Sequence, residues 1–169
     1  MHAYERIPQP DPLPEGFFDL GSHPLRCPED VEQWARRHPT IGWMTWPEVW
    51  HLDHDGRFCC YYQGSTPDSI KRWADDPSDL QWSRDEGRHT TGCTDHWLIV
   101  DSRPTKMRDG PTVDESDVEA FLRLRPQVEA MGVHLLDVLI FDDQCHWWSL
   151  HELTTGSTAW APPPLRQAS

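Results

Sequence analysis

The chain has 169 residues, 28 acidic against 15 basic, for a formal net charge of −13 at pH 7, and no stretch of it is dense in Lys and Arg. Attraction to nucleic-acid phosphates or to an anionic membrane surface needs the opposite balance, so the sequence argues against both kinds of direct binding. The length suits one domain with a real core, to which the 10 Trp residues contribute much of the apolar area.

Five cysteines (Cys27, Cys59, Cys60, Cys93 and Cys145) form no C-x-x-C pair, and no apolar segment follows Met1. A reducing, cytoplasmic setting is expected. The longest apolar run, residues 133–141, is interrupted by His134 and Asp137 and is too short to cross a bilayer. Prolines at 8, 10, 12, 14 and 24 mark residues 1–26 as extended, and Pro162, Pro163 and Pro164 do the same for residues 155–169. The body of the domain is expected between them, at 27–154.

In chain order, Pro28 followed by Glu29 and Asp30 predicts a helix over 27–37 that shows Val31, Trp34 and Ala35 on one face. Residues 48–53 and 58–62 are β-rich and flank Asp55-Gly56, which predicts a hairpin. The polar stretch 64–96 shows weak helical character over 69–74, and residues 97–100 predict a buried strand that ends at Asp101. A loop over 102–112 leads into an amphipathic helix that starts at Asp114 and is closed by Gly132, with Val118, Phe121, Leu122, Val128 and Met131 as its apolar positions. Pro126 is expected to kink or break that helix. Residues 135–141 and 146–150 predict a second hairpin around Asp142-Asp143-Gln144. The fold class is therefore α/β in the broad sense (α+β), a mixed β-sheet with flanking helices.

The last piece, "MGVHLLDVLIFDDQCHWWSLHE" (131–152), resembles the closing segment of the RadC-like branch of the JAB/MPN metalloprotease family, and "PEDVEQW" and "PEVWHLDHDGRFCCYYQGST" are similar to its opening helix and first hairpin. The resemblance covers roughly residues 27–152 and implies a cytidine-deaminase-like, JAB-type sheet. In that family an H-x-H-P-S-G motif and a following S-x-x-D supply two imidazoles and a carboxylate for Zn²⁺, while a glutamate takes the proton of the metal-bound water. The resemblance places Glu48 at the general base, Asp101 and Arg103 at the two His positions, and Asp114 and Asp117 at the second motif. Thr112 and Glu115 form an alternative pairing for that motif, and Val138 stands where the family has a His.

Arginine has no lone pair for a metal and keeps its proton, so Arg103 removes a ligand and adds positive charge where the cation would sit. The expectation is that Arg103 substitutes for the metal by bridging Asp101, Asp117 and Glu48, that no cofactor is bound, and that the protein is a non-hydrolytic interaction module with a protein partner. Two alternatives stand beside it. One is a metal-dependent hydrolase in which Asp101 and Asp117 hold zinc and Glu48 is the base. The other is an acidic decoy or docking protein for a basic, nucleic-acid-binding partner.

Other constellations have duller readings. His89, Cys93 and His96 have the spacing of a zinc loop, though a chain with 10 His yields such triplets by chance. His51, His54, His146 and His151 read as structural or solvated, and Cys59 and Cys60 as structural rather than nucleophilic. The pairs Tyr61-Tyr62 and Trp147-Trp148 alternate across their strands, so one of each pair faces away from the core, as an interface anchor or beneath a tail.

Overall fold

The computed structural model describes residues 25–37, 47–52, 58–64, 66–90, 96–105 and 109–160. Pro28–Arg37 forms α1, Glu48–Leu52 β1 and Phe58–Gln63 β2. Ser69–Asp75 (α2) and Ser78–Thr90 (α3) precede His96–Ser102 (β3), and Glu115–Ala130 (α4) precedes His134–Phe141 (β4), Trp147–Ser149 (β5) and Leu150–Thr155 (α5). The architecture is mixed α and β, with no described helix long and apolar enough to cross a membrane.

The sheet has the order β2-β1-β3-β4-β5. β1 lies antiparallel to both β2 and β3, β3 and β4 are parallel, and β5 returns antiparallel to β4. The parallel pair requires a crossover, which α4 supplies. Both sheet faces are covered, so the central strands are apolar on both sides. Val49, Trp97, Ile99, Val138 and Ile140 pack with α2, α4 and α5 through Ile70, Trp73, Phe121, Leu124 and Leu150. Trp50, Leu52, Leu98, Val100, Leu139 and Phe141 pack against Val31, Trp34 and Ala35 of α1. Trp34 meets Trp50 edge-on at 4.8 Å between ring centroids, and the Trp147 indole donates to Glu32 Oε1 at 2.7 Å, so α1 is fixed at both a strand and the sheet's edge.

Several expectations change here. α4 runs unbroken through Pro126: Pro126 and Leu122, whose carbonyl loses its partner, are both exposed, so water can satisfy the freed acceptor. Asp114 is the N-cap, paired with Asp117 in a reciprocal capping box, and Gly132 follows the helix with φ +83°. The polar stretch after residue 64 holds two helices rather than a single weak turn. The strand expected at 146–150 is only Trp147–Ser149, because the Ser149 hydroxyl accepts from Glu152 N at 3.0 Å and starts α5 instead. The body also extends past 154, for Trp160 packs against the α1-side core. The Asp55-Gly56 turn lies outside the described residues.

Asp137 ties the last elements together. One of its oxygens accepts from Val138 N at 2.7 Å and His151 N at 2.9 Å, the other from Ser149 Oγ at 2.5 Å and the Trp160 indole at 3.0 Å. Nearby, Leu136 is the extra residue where the β3–β4 register shifts, and the Arg125 guanidinium donates to the Leu135 and Leu136 carbonyls at this irregularity. The guanidinium also donates to His151 Nδ1 at 3.0 Å. Since Arg has nothing to accept with, the ring proton sits on Nε2 and donates to the Ala159 carbonyl.

Gly64 joins β2 to α2 at a close approach: a Cβ there would lie 2.6 Å from Ser69 Oγ and 3.1 Å from the Pro47 carbonyl. Gly64→Ala is expected to lower stability by about 1–3 kcal/mol, as overpacking does, which a urea unfolding curve will read.

Candidate functional site

The candidate site lies where β3 ends and α4 begins. Asp101 is the penultimate residue of β3, Arg103 follows the strand, and the capping box turns Asp117 inward on the first turn of α4. All three side chains are buried. Arg103 Nε donates to Asp101 Oδ2 at 2.7 Å, while its two terminal nitrogens donate to Asp117 Oδ2 and Oδ1 at 2.9 and 2.8 Å. A further bond reaches the Thr112 carbonyl at 2.9 Å, and the Arg103 backbone N–H donates to Phe141 O at 2.7 Å. The guanidinium is thus held in its own plane by a two-point contact with one carboxylate and a side-on contact with another.

Burial alone would loosen the Arg103 proton, but the hydrogen bonds and charge of Asp117 and Asp101 outweigh it, and the proton is held more firmly than on a free arginine. One cation thus faces two buried carboxylates. The carboxylate of Asp117 does double duty, since Oδ2 also accepts from Asp114 N at 3.0 Å. Asp114 itself stays outside the cluster as the cap; its hydrogen bonds, first that from Ser116, hold its carboxyl down to about 2. Of the two pairings for the second motif, Asp117 is the residue that reaches Arg103, whereas Glu115 is exposed and Thr112 contributes only its carbonyl.

Glu48 does not join them. It lies opposite Val100 on β3, so it shares the α1 face with Trp50, Leu98 and Val100, and the sheet separates it from Asp101. The expected bridge from Arg103 to Glu48 is therefore not made: strand alternation sends the side chains at 100 and 101 to opposite faces. Glu48 is fully buried, and neither of its carboxyl oxygens has a hydrogen-bond partner among the described residues. Burial pushes its carboxyl up to about 8, opposed by the Trp50 side chain beside it.

His96 opens β3, buried, with its ring 6.1 Å from that of His134 on the neighbouring strand. His89 lies in the last turn of α3, and Cys93 falls outside the described residues. Among the described residues no three His, Cys, Asp or Glu side chains come together as a metal-binding group. His51 is buried in the core, stacked near Trp97 and hydrogen-bonded through Nε2 to Ser83 Oγ at 2.9 Å. What sequence reasoning missed is how two named residues act: Thr112 through its backbone carbonyl, and Asp114 through a side chain that caps α4.

No family model and no curated protein matches this chain.

The Glu48 carboxyl sets a pH dependence. Its value is raised from 4.5 to about 8 on folding, so the neutral acid is compatible with the core and this group's contribution to stability is fully present below pH 4.5. As pH rises towards 8 the unfolded chain ionises first, and roughly 5 kcal/mol is lost at the tenfold-per-1.36 kcal/mol conversion. Glu48→Gln is expected to match wild type at pH 4.5 and to exceed it by several kcal/mol at pH 8.5, read from urea unfolding at the two pH values.

Proposed function

We propose that this chain is a RadC-like JAB-fold protein whose metal site has been replaced by an arginine, and that it works as a non-hydrolytic protein-interaction module. The observation that carries this reading is the buried Arg103–Asp101–Asp117 cluster. It sits at the positions where the resemblance puts the zinc ligands, and the guanidinium engages both remaining carboxylates. The order of helix, antiparallel hairpin, central strand, crossover helix and closing hairpin also supports the fold assignment.

Two further features weigh against hydrolysis. Arg103 offers no lone pair, so a cation at this point would have to displace a bidentate ion pair while gaining only oxygen ligands. Glu48, the corresponding base, opens onto the other face and cannot take a proton from water held near Asp101. Zinc is accordingly no part of the reading. The surface supplies the material for contacts instead: Trp82, Leu122 and Leu153 are each more than half exposed, and large apolar side chains anchor protein interfaces.

The net charge of −13 favours a second reading, an acidic docking protein for a basic partner. That association would weaken steeply with salt, whereas an interface built on exposed Trp and Leu would persist.

Elemental analysis of the purified, untagged protein tests the main reading: well under one zinc per chain is expected. About one zinc per chain, together with a chelator-sensitive hydrolysis abolished in Asp117→Asn, would overturn it. In urea unfolding Arg103→Met is expected to lose about 3–5 kcal/mol of stability, because it leaves two buried carboxylates without their cation.

A further inference from the structure

The carboxyl end of β3 carries a second polar pair, on the face away from Arg103. Glu48 lies opposite Val100, so Ser102 is its diagonal neighbour on the same face of the antiparallel pair. Such neighbours have Cα atoms roughly 7–8 Å apart, within the combined reach of a glutamate, a serine and one small molecule between them. Ser102 sits between Asp101 and Arg103 in sequence yet turns to the α1 side.

Glu48 is 0% exposed and Ser102 1% exposed, and Oε1, Oε2 and Oγ all lack a hydrogen-bond partner among the described residues. A buried polar group left in that state costs about 1–3 kcal/mol, so each of the two calls for a partner. The usual remedy is an internal water making about three hydrogen bonds.

We infer that Glu48 and Ser102 hold a buried water, or a neutral solute of the same size, at the α1 face of the sheet's carboxyl end. The donor and acceptor inventory fits. A neutral glutamic acid offers one O–H and a free carbonyl oxygen, and the serine hydroxyl donates once and accepts. A water with two protons and two lone pairs satisfies all three oxygens at once. The class of guest follows from the walls. Val100, Leu139 and Phe141 make this face largely apolar, so an ion would be stripped of solvent without a counter-charge.

A high-resolution crystal structure of the full chain, paired with a double-mutant cycle, tests the site. The expected result is a solvent peak within hydrogen-bond distance of Ser102 Oγ and a Glu48 carboxyl oxygen. Ser102→Ala is expected to lower the urea midpoint of the wild-type chain, and to leave it unchanged or raise it in Glu48→Met, where the shared guest has gone. A protein side chain filling the position, a direct Glu48–Ser102 bond, or equal losses in both backgrounds would overturn the inference. The crystallographic arm decides it even if Glu48→Met fails to fold.

Discussion

Arg103 takes a full positive charge into the interior at the point where the central strand gives way to the crossover, and the two carboxylates that receive it come from different elements. Asp101 belongs to β3 and Asp117 to α4, so the guanidinium fixes where the helix starts relative to the strand it leaves. The Arg103 backbone N–H, bonded to Phe141 O, adds the end of β4 to the same junction. Burying three charges is seldom the cheapest route to stability, because desolvation offsets most of the Coulombic gain. What it secures here is geometry: a planar cation with fixed donor directions accepts only one arrangement of strand, loop and helix.

The buried carboxylates show how differently one chemical group behaves according to what surrounds it. Asp101 and Asp117 have a cation. Asp137 has none, and burial raises its carboxyl even though Ser149, His151, Trp160 and Val138 all donate to it. Glu48 has neither cation nor strong donors and is raised furthest into the neutral range. Two of these groups stand back to back across a single layer of sheet, and that layer converts what the sequence presents as one site into two unrelated environments.

Much of the framework was legible because its signals are local. Pro28 with an acidic first turn marks α1, Asp114 with Gly132 brackets α4, and the β-rich runs around residues 48–62 give an antiparallel pair. α3 escaped because Ser78–Thr90 is polar almost throughout, with Leu80 as its only fully buried apolar anchor. α5 escaped because Leu150 continues the apolar Trp147-Trp148 run, and only the Ser149 cap diverts it. At the site, the pairing of Arg103 with Asp101 and Asp117 was an expectation of the resemblance, to which the fixed charge of arginine gave its form. The exclusion of Glu48 depends on cross-strand register, which no single strand reveals: a shift by one residue would have put Glu48 on the other face. The Asp137 cluster was invisible for a similar reason, since its donors are spread over the chain from Val138 to Trp160.

That spread has a bearing on how the protein comes into being at the ribosome. Asp137 lies in β4, yet three of the groups that satisfy it are at 149, 151 and 160, and the strap that delivers Trp160 turns at Gly156 with φ +82°. β4 also forms the parallel pair with β3, so the middle of the sheet waits on residues that emerge late. A nascent chain that has released β1 to β4 but not Trp160 carries a buried acid short of a donor and an apolar patch short of its cover. Such a chain keeps part of its apolar surface uncovered until Trp160 arrives.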